Sequence, residues 1–300
     1  MKKILSIKGG GIRGIIPCVC LAAIERETGK LTRDLFDFVG GTSTGALLSA
    51  AIAAGIPASE SLKVYTNQGP KIFSPTNSVE RDALLVARGY QFDNAVLRKA
   101  LGDTLGANAG MTINNSPIPV MIPAVDTLGH VWYFVKDAPT NAGTTGKYLL
   151  ADVAVASACA TTYHGAFNIP GLGYFADGGC GGQADPVYMI CAEAFKDTSC
   201  FGTIDPADAV VISLGTGTYT PAAAPGPPKG LMANIEWVTS SLVDASETLA
   251  EQSTNRQWPG LLHAFNVALA SEIDEADVSS IPTLLTLGAQ MDWQSILKVL

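Results

Sequence analysis

A chain of 300 residues that is 47% hydrophobic can bury a substantial core, and one large domain over residues 1–300 is expected rather than two. Nineteen basic residues against 27 acidic ones leave a formal charge of −8, which argues against a nucleic-acid footprint and against electrostatic docking on anionic lipid. Cysteines 18, 20, 159, 180, 191 and 200 lack zinc-type spacing and read as small buried hydrophobes in a reducing compartment. No apolar run approaches the ~18 residues of a membrane span. The start, MKKILSIKGGGIRG, faintly resembles a signal peptide, but glycines, Lys8 and Arg13 interrupt it. A soluble cytoplasmic protein without a transmembrane segment is expected.

In chain order, short apolar runs alternate with helical patterns, the mark of βαβ units around a mostly parallel sheet. KILSIK reads as the first strand. After the glycines, Pro17 suits the first turn of a helix running to about Glu27, with Gly29 at its end. LFDFVGG is a second strand, and GALLSAAIAAG an all-apolar and therefore central helix. SESLKVYTNQGPKIF continues as a helix running into a loop. Residues 74–89 have weak periodicity and read as an irregular connection or a mobile flap.

IPVMIPAVD and HVWYFVK form a strand pair, followed by a loop containing GTTG. ADVAVASACA is a small-residue helix, LGYFADGG a strand ending in an acid, and ADAVVISLGTG a buried strand. PAAAPGPPKG, residues 221–230, is a loop or linker by composition, dividing a motif-bearing core (1–220) from an amphipathic helix and tail (231–300).

Three stretches carry chemistry. Gly9-x-Gly11-x-x-Gly14 fits either a dinucleotide-binding turn or a nest of amides for a transition-state oxyanion. Gly41-Thr42-Ser43-Thr44-Gly45 lies between a strand and a buried helix, the setting of a nucleophile elbow that exposes the Ser43 hydroxyl. A serine nucleophile needs a base, and the histidines offer little: His263 sits in the apolar helical pattern LLHAFNVALA, while His130 and His164 have no partner that sequence names. The base role therefore passes to Asp177, at a strand end and followed by Gly178 and Gly179. In a parallel sheet such an end faces the ligand crevice. An ordinary aspartate, pKa near ~3.9, is a poor base, so burial would have to raise it.

Together, GGGIRG, GTSTG about thirty residues on, and the later DGG resemble the patatin-like phospholipases, over roughly residues 1–220 and more weakly in the tail IDEADVSSIPTLLTLG. The resemblance implies an α/β/α sandwich of three layers that hydrolyses acyl esters of lipids through a Ser–Asp dyad without histidine. Residue by residue it implies Ser43 as nucleophile, Asp177 as general base, and Gly10, Gly11 and Arg13 as the oxyanion region, flanked by Gly9 and Gly14. It implies a phospholipid or other acyl-lipid substrate, transient membrane-surface contact, and no cofactor, metal or nucleic acid. Homo-oligomerisation and a regulatory ligand stay open.

This chain departs from the family at Lys8, where an acid usually precedes the glycines, at Asp185-Pro186, where Asn-Asn-Pro usually follows the DGG, and at Thr161, where a proline is typical. Two other readings remain. One is a catalytically silent lipid-binding or regulatory module of the same fold, favoured by Lys8. The other is a dinucleotide-binding oxidoreductase, with Asp34 or Asp37 on the ribose.

Overall fold

A computed structural model describes residues 1–138, 145–196, 199–200, 202–222 and 226–300. Part of the GTTG loop and part of the 221–230 linker lie outside the described residues. Among the described residues the strands are β1 (Lys2–Ile7), β2 (Phe38–Gly41), β3 (Tyr90–Phe92), β4 (Val120–Asp126), β5 (Val131–Val135), β6 (Thr162–His164), β7 (Phe167–Ile169), β8 (Gly173–Asp177), β9 (Ala209–Leu214) and β10 (Leu262–Phe265). The central sheet runs β10-β9-β1-β2-β4-β8-β7, with β5 paired to β4, and β3 pairs with β6 separately. The steps from β10 to β4 are parallel, whereas β5 and β8 run antiparallel to β4 and β7 antiparallel to β8.

Alternation along the strands builds two cores. Leu5, Ile7, Val39, Ile122 and Ile212 face one side, where they meet the helices Ile15–Thr28, Thr44–Ala54 and Leu150–Ser157. Ile4, Phe38, Met121 and Val211 face the other, against the helix Val187–Phe195. The period of two thus gives a three-layer α/β/α sandwich. Helix Thr44–Ala54 is buried at every position, as its all-round apolar sequence requires. The long helix Leu231–Gln257 packs beside Val187–Phe195.

Three expectations need correction. LLHAFNVALA is not helical: Leu262–Phe265 is the edge strand β10, because the parallel edge of β9 has an open ladder that a short apolar segment satisfies. The C-terminal part is therefore not wholly helical. Residues 78–88 form a helix rather than an irregular connection, capped by Asn77, whose side chain accepts from the amides of Val79 and Glu80, and ended by Gly89 in the left-handed region. Its apolar residues Val79, Ala83 and Val86 recur at helical spacing, a pattern sequence reading missed, yet the helix lies on the surface and buries none of its residues. Finally, β8 is antiparallel, so Asp177 does not reach the crevice by the parallel-sheet rule. Register brings it there instead. Asp177 pairs with Ala124, three residues beyond Met121, the partner of Gly40, and Ser43 is likewise three residues beyond Gly40.

Candidate active site

Ser43 sits at the turn between β2 and the helix Thr44–Ala54 with φ 56° and ψ −123°, a conformation that costs an L-residue on the order of 1–3 kcal/mol. The turn is possible because its neighbours are glycines. A side chain at Gly41 would lie 2.5 Å from the Gly45 backbone, and one at Gly45 would strike the Ile7 backbone. The Ser43 amide donates to the Ser157 hydroxyl at 3.1 Å, which fixes the turn from the neighbouring helix.

Ser43 lies close enough to the buried Asp177 for its hydroxyl to favour the charged carboxylate. Asp177 accepts the Gly179 amide at 2.7 Å, while its own amide donates to Cys159 O. Burial pushes the Asp177 carboxyl up to about 7, and the nearby Glu275 charge adds to this; the Ser43 hydroxyl and the Gly179 amide pull the other way. No cation is paired with Asp177 among the described residues.

The glycine loop packs directly on the serine, with Gly9 against Ser43 Cβ. Its amides divide into two sets. Gly9 donates to Ala184 O, Ile12 to Glu275 O and Arg13 to Gly10 O. The amides of Gly10 and Gly11 have no protein acceptor among the described residues. Both glycines have positive φ, 144° and 55°, and the Thr216 hydroxyl holds the loop from the far side by donating to Gly9 O at 2.6 Å. Arg13 does not point a free fork at the serine. Its Nη2 pairs with Glu275 at 2.9 Å and its Nε reaches Gly10 O at 3.4 Å, so it braces the loop. Gly14 lies against Thr44 and Tyr65, and Gly178 against the Pro123 backbone.

A narrow cleft runs from Ser43 and Gly11 between Leu47, Val64, Ile72, Phe73 and Leu97. Its walls are mainly apolar. His164, which sequence left without a role, lines this cleft beside Phe92 and Phe73; burial pushes it down to about 4, so it is neutral at pH 7. His263 is level with Ile212 in mid-strand, three strand steps or about 14 Å sideways from β2. His130 is exposed and hydrogen-bonded to Asp126.

Lys8 turns away from the cleft. It is buried, and its Nζ meets Glu251 at 2.7 Å, Glu247 at 3.1 Å and Asp185 at 3.8 Å. The two departures at 8 and 185 are therefore partners. Sequence reading missed this pairing, along with Ser157, Thr216 and Glu275, because each partner lies more than a hundred residues from what it holds.

Asp37 pairs with Lys2 and accepts the Lys3 amide, at the amino end of β1. The glycine loop is at the other end of that six-residue strand, about 20 Å away, so Asp37 cannot share a dinucleotide with it. Asp34 lies beside it, in the short helix Thr32–Leu35.

The family model for patatin-like phospholipase matches residues 5–188. The chain belongs to the patatin-like phospholipase family. A cGAMP-activated phospholipase of Vibrio cholerae is 31% identical over 229 residues, covering 71% of this chain and 64% of the relative. Patatin-like protein 2 of Arabidopsis thaliana is 33% identical over 249 residues, covering 72% and 60%. The matched stretch thus spans about three fifths of these family members' length. Among solved structures, VipD from Legionella pneumophila covers 96% of this chain and 66% of its own at 12% identity and a TM-score of 0.45, too loose a likeness to bear on chemistry. No helix among the described residues is long and apolar enough to cross a membrane.

Proposed function

We propose that this patatin-family chain is a serine lipid acyl hydrolase of the phospholipase A or lysophospholipase type. The observation that carries the reading is a strained serine beside a buried carboxyl that has no paired cation among the described residues. Ser43 Oγ attacks the ester carbonyl carbon while its proton passes to Asp177. The carbonyl oxygen becomes an oxyanion held by the amides of Gly10 and Gly11. Collapse breaks the ester bond, and the departing alcohol takes the proton from Asp177. Water, deprotonated by Asp177, then attacks the acyl ester left on Ser43; the acyl–Oγ bond breaks to release the fatty acid, and Asp177 returns the proton to Ser43 Oγ.

A base must be ionised at working pH and still hold a proton well, and a carboxyl at about 7 meets both needs where an ordinary aspartate would not. The apolar cleft beside Ser43 suits an acyl chain. The feature that favoured a silent module, Lys8, is accounted for by its own ion cluster and leaves the free amides untouched. Six free thiols, four of them buried, fit a reducing compartment such as the cytoplasm.

Ser43→Ala should lose both ester hydrolysis and labelling by a fluorophosphonate probe while melting like the parent. Labelling above a trace in that variant would overturn the assignment.

A further inference from the structure

We infer that Glu275 is a positioning residue for the oxyanion loop, delivered to the site by a segment well beyond the family-matched residues; the inference rests on the acyl-transfer reading above. Three different parts of Glu275 grip the loop. Its carbonyl accepts the Ile12 amide at 2.8 Å. Its carboxylate holds Arg13 Nη2 at 2.9 Å, and Arg13 in turn reaches Gly10 O. Its backbone and Cβ lie so close to Gly11 that a side chain there would sit 2.6 Å from Glu275 Cβ. The two glycines with free amides are thus bounded by one residue and the arginine it holds.

Glu275 is itself fixed. Asp274 accepts the Ala276 amide at 2.7 Å and the Tyr163 hydroxyl at 3.2 Å, and Tyr163 stacks on Phe92 with near-parallel rings. The Asp277 amide closes the turn on Asp274 O. A loop rich in glycine has little stiffness of its own, and donors must be aimed before the charge develops for them to lower the barrier. Bracing from outside supplies that aim.

The same carboxylate also acts through its charge. The groups around Asp177 are the Ser43 hydroxyl, the Gly179 amide, the Cys159 and Cys180 thiols, and Glu275. Both thiols are pushed up by burial and stay neutral, so Glu275 is the anion that disfavours ionised Asp177. Around Glu275 stand Arg13, which offsets part of that charge, and Tyr163, whose own pKa is raised by burial and by Asp274 and Glu275. Removing the charge should let Asp177 ionise at lower pH.

The test uses the full chain and a soluble short-chain ester. Glu275→Ala should lower kcat about tenfold, less than the ~10²–10³ cost of deleting an oxyanion donor, with little change in KM. Glu275→Gln keeps the carbonyl and the side-chain length, so it should fold even if the alanine variant does not. In it the acid limb of kcat/KM should move to lower pH, and Glu275→Asp should return the limb towards the wild-type position. A loss from mere loosening of the fold would not move that limb. Wild-type kcat in a folded alanine variant, or an unmoved limb in the glutamine variant, would overturn the inference. If Ser43→Ala abolishes labelling while the Glu275 variants behave as wild type, this inference falls and the acyl-transfer reading stands. If Ser43→Ala still labels, the acyl-transfer reading itself falls.

Discussion

Asp177 and Asp185 are eight residues apart, both wholly buried, and both more basic than a free aspartate because burial disfavours their charge. Their surroundings differ in one respect. Asp185 accepts the hydroxyls of Ser6 and Ser213 and the Val187 amide, and Lys8 stands 3.8 Å away. Asp177 accepts one amide, lies beside the Ser43 hydroxyl, and has an anion, Glu275, in place of a cation. The Lys8 side of this pairing is equally committed. Burial would lower its pKa, but Asp185, Glu247 and Glu251 more than reverse that, so Lys8 stays charged. Asp185 therefore spends its charge on architecture, joining β1, β9 and, through Lys8, the long helix. Asp177 keeps a proton affinity that can be used, and the group within its reach is the strained serine.

The largest expected effect comes from exchanging Asp177→Asn. A general base contributes typically ~10²–10⁴-fold, and turnover should fall by that order while Asp185→Asn costs far less. His164→Ala and His263→Ala are the controls, measured in the same assay. A histidine variant that matched the Asp177→Asn loss would break the contrast between the two aspartates and put a triad in its place. In the parent enzyme, kcat/KM should fall as pH drops through about 7, where Asp177 takes up its proton. A pH profile flat down to about 5, well below that pKa, would remove Asp177 from the base role.

Next in size is Lys8→Met, which strands the buried Asp185 without a cation. Removing one member of a buried pair typically costs about 3–5 kcal/mol. The lower end is expected here, because Glu247 and Glu251 retain some access to water. Lys8→Met combined with Asp185→Asn should recover part of the loss in urea unfolding, since the fully buried carboxylate goes with its cation while only the partly hydrated Glu247 and Glu251 stay unpaired. The folded single variant should keep kcat near wild type. A collapse of kcat without loss of stability would mean that Lys8 belongs to the chemistry and that the division between the two aspartates is false.

Much of this was legible before the structure because it is local. The elbow needs a strand, two glycines, a serine and an apolar helix within about twenty residues, and Val39 to Ala54 spell that out. The alternating strands and the all-apolar helix gave the layers for the same reason. What sequence could not show depends on register or on distant closure. Whether Asp177 meets Ser43 turns on its pairing with Ala124 across an antiparallel step. A four-residue apolar segment around His263 carries no periodicity long enough to separate strand from helix, and the open edge of β9 decides it. Arg13 was legible as a charge near the loop, but its direction depends on Glu275, 262 residues on.

The smallest expected effect is the one that tests the contrast thermodynamically. Asp177 has a folded-state pKa of about 7 against an ordinary value of 3.8. A group raised in the folded state favours folding most when protonated in both states, so its contribution is lost as pH climbs from about 4 to about 7 and then stays constant. Above about pH 7 the native state therefore carries a buried, unpaired negative charge. An asparagine in its place would not carry that charge, and the amide oxygen could still accept from the Gly179 amide. The Asp177→Asn variant should consequently be more stable than the parent at about pH 8, by about 1–3 kcal/mol once imperfect hydrogen bonding is allowed for. Glu247, pushed up to about 7 mainly by burial, gives the parent a pH slope of the same sign, so the quantity to follow is the difference between the two proteins. That difference should grow between about pH 4 and 7 and level off above it, read by urea unfolding at several pH values. Asp185→Asn should show no such gain, because the carboxylate it removes is already compensated by Lys8, the Ser6 and Ser213 hydroxyls and the Val187 amide. Equal stability of parent and Asp177→Asn at every pH would mean that Asp177 is as well compensated as Asp185, and the geometry would then have lost its base.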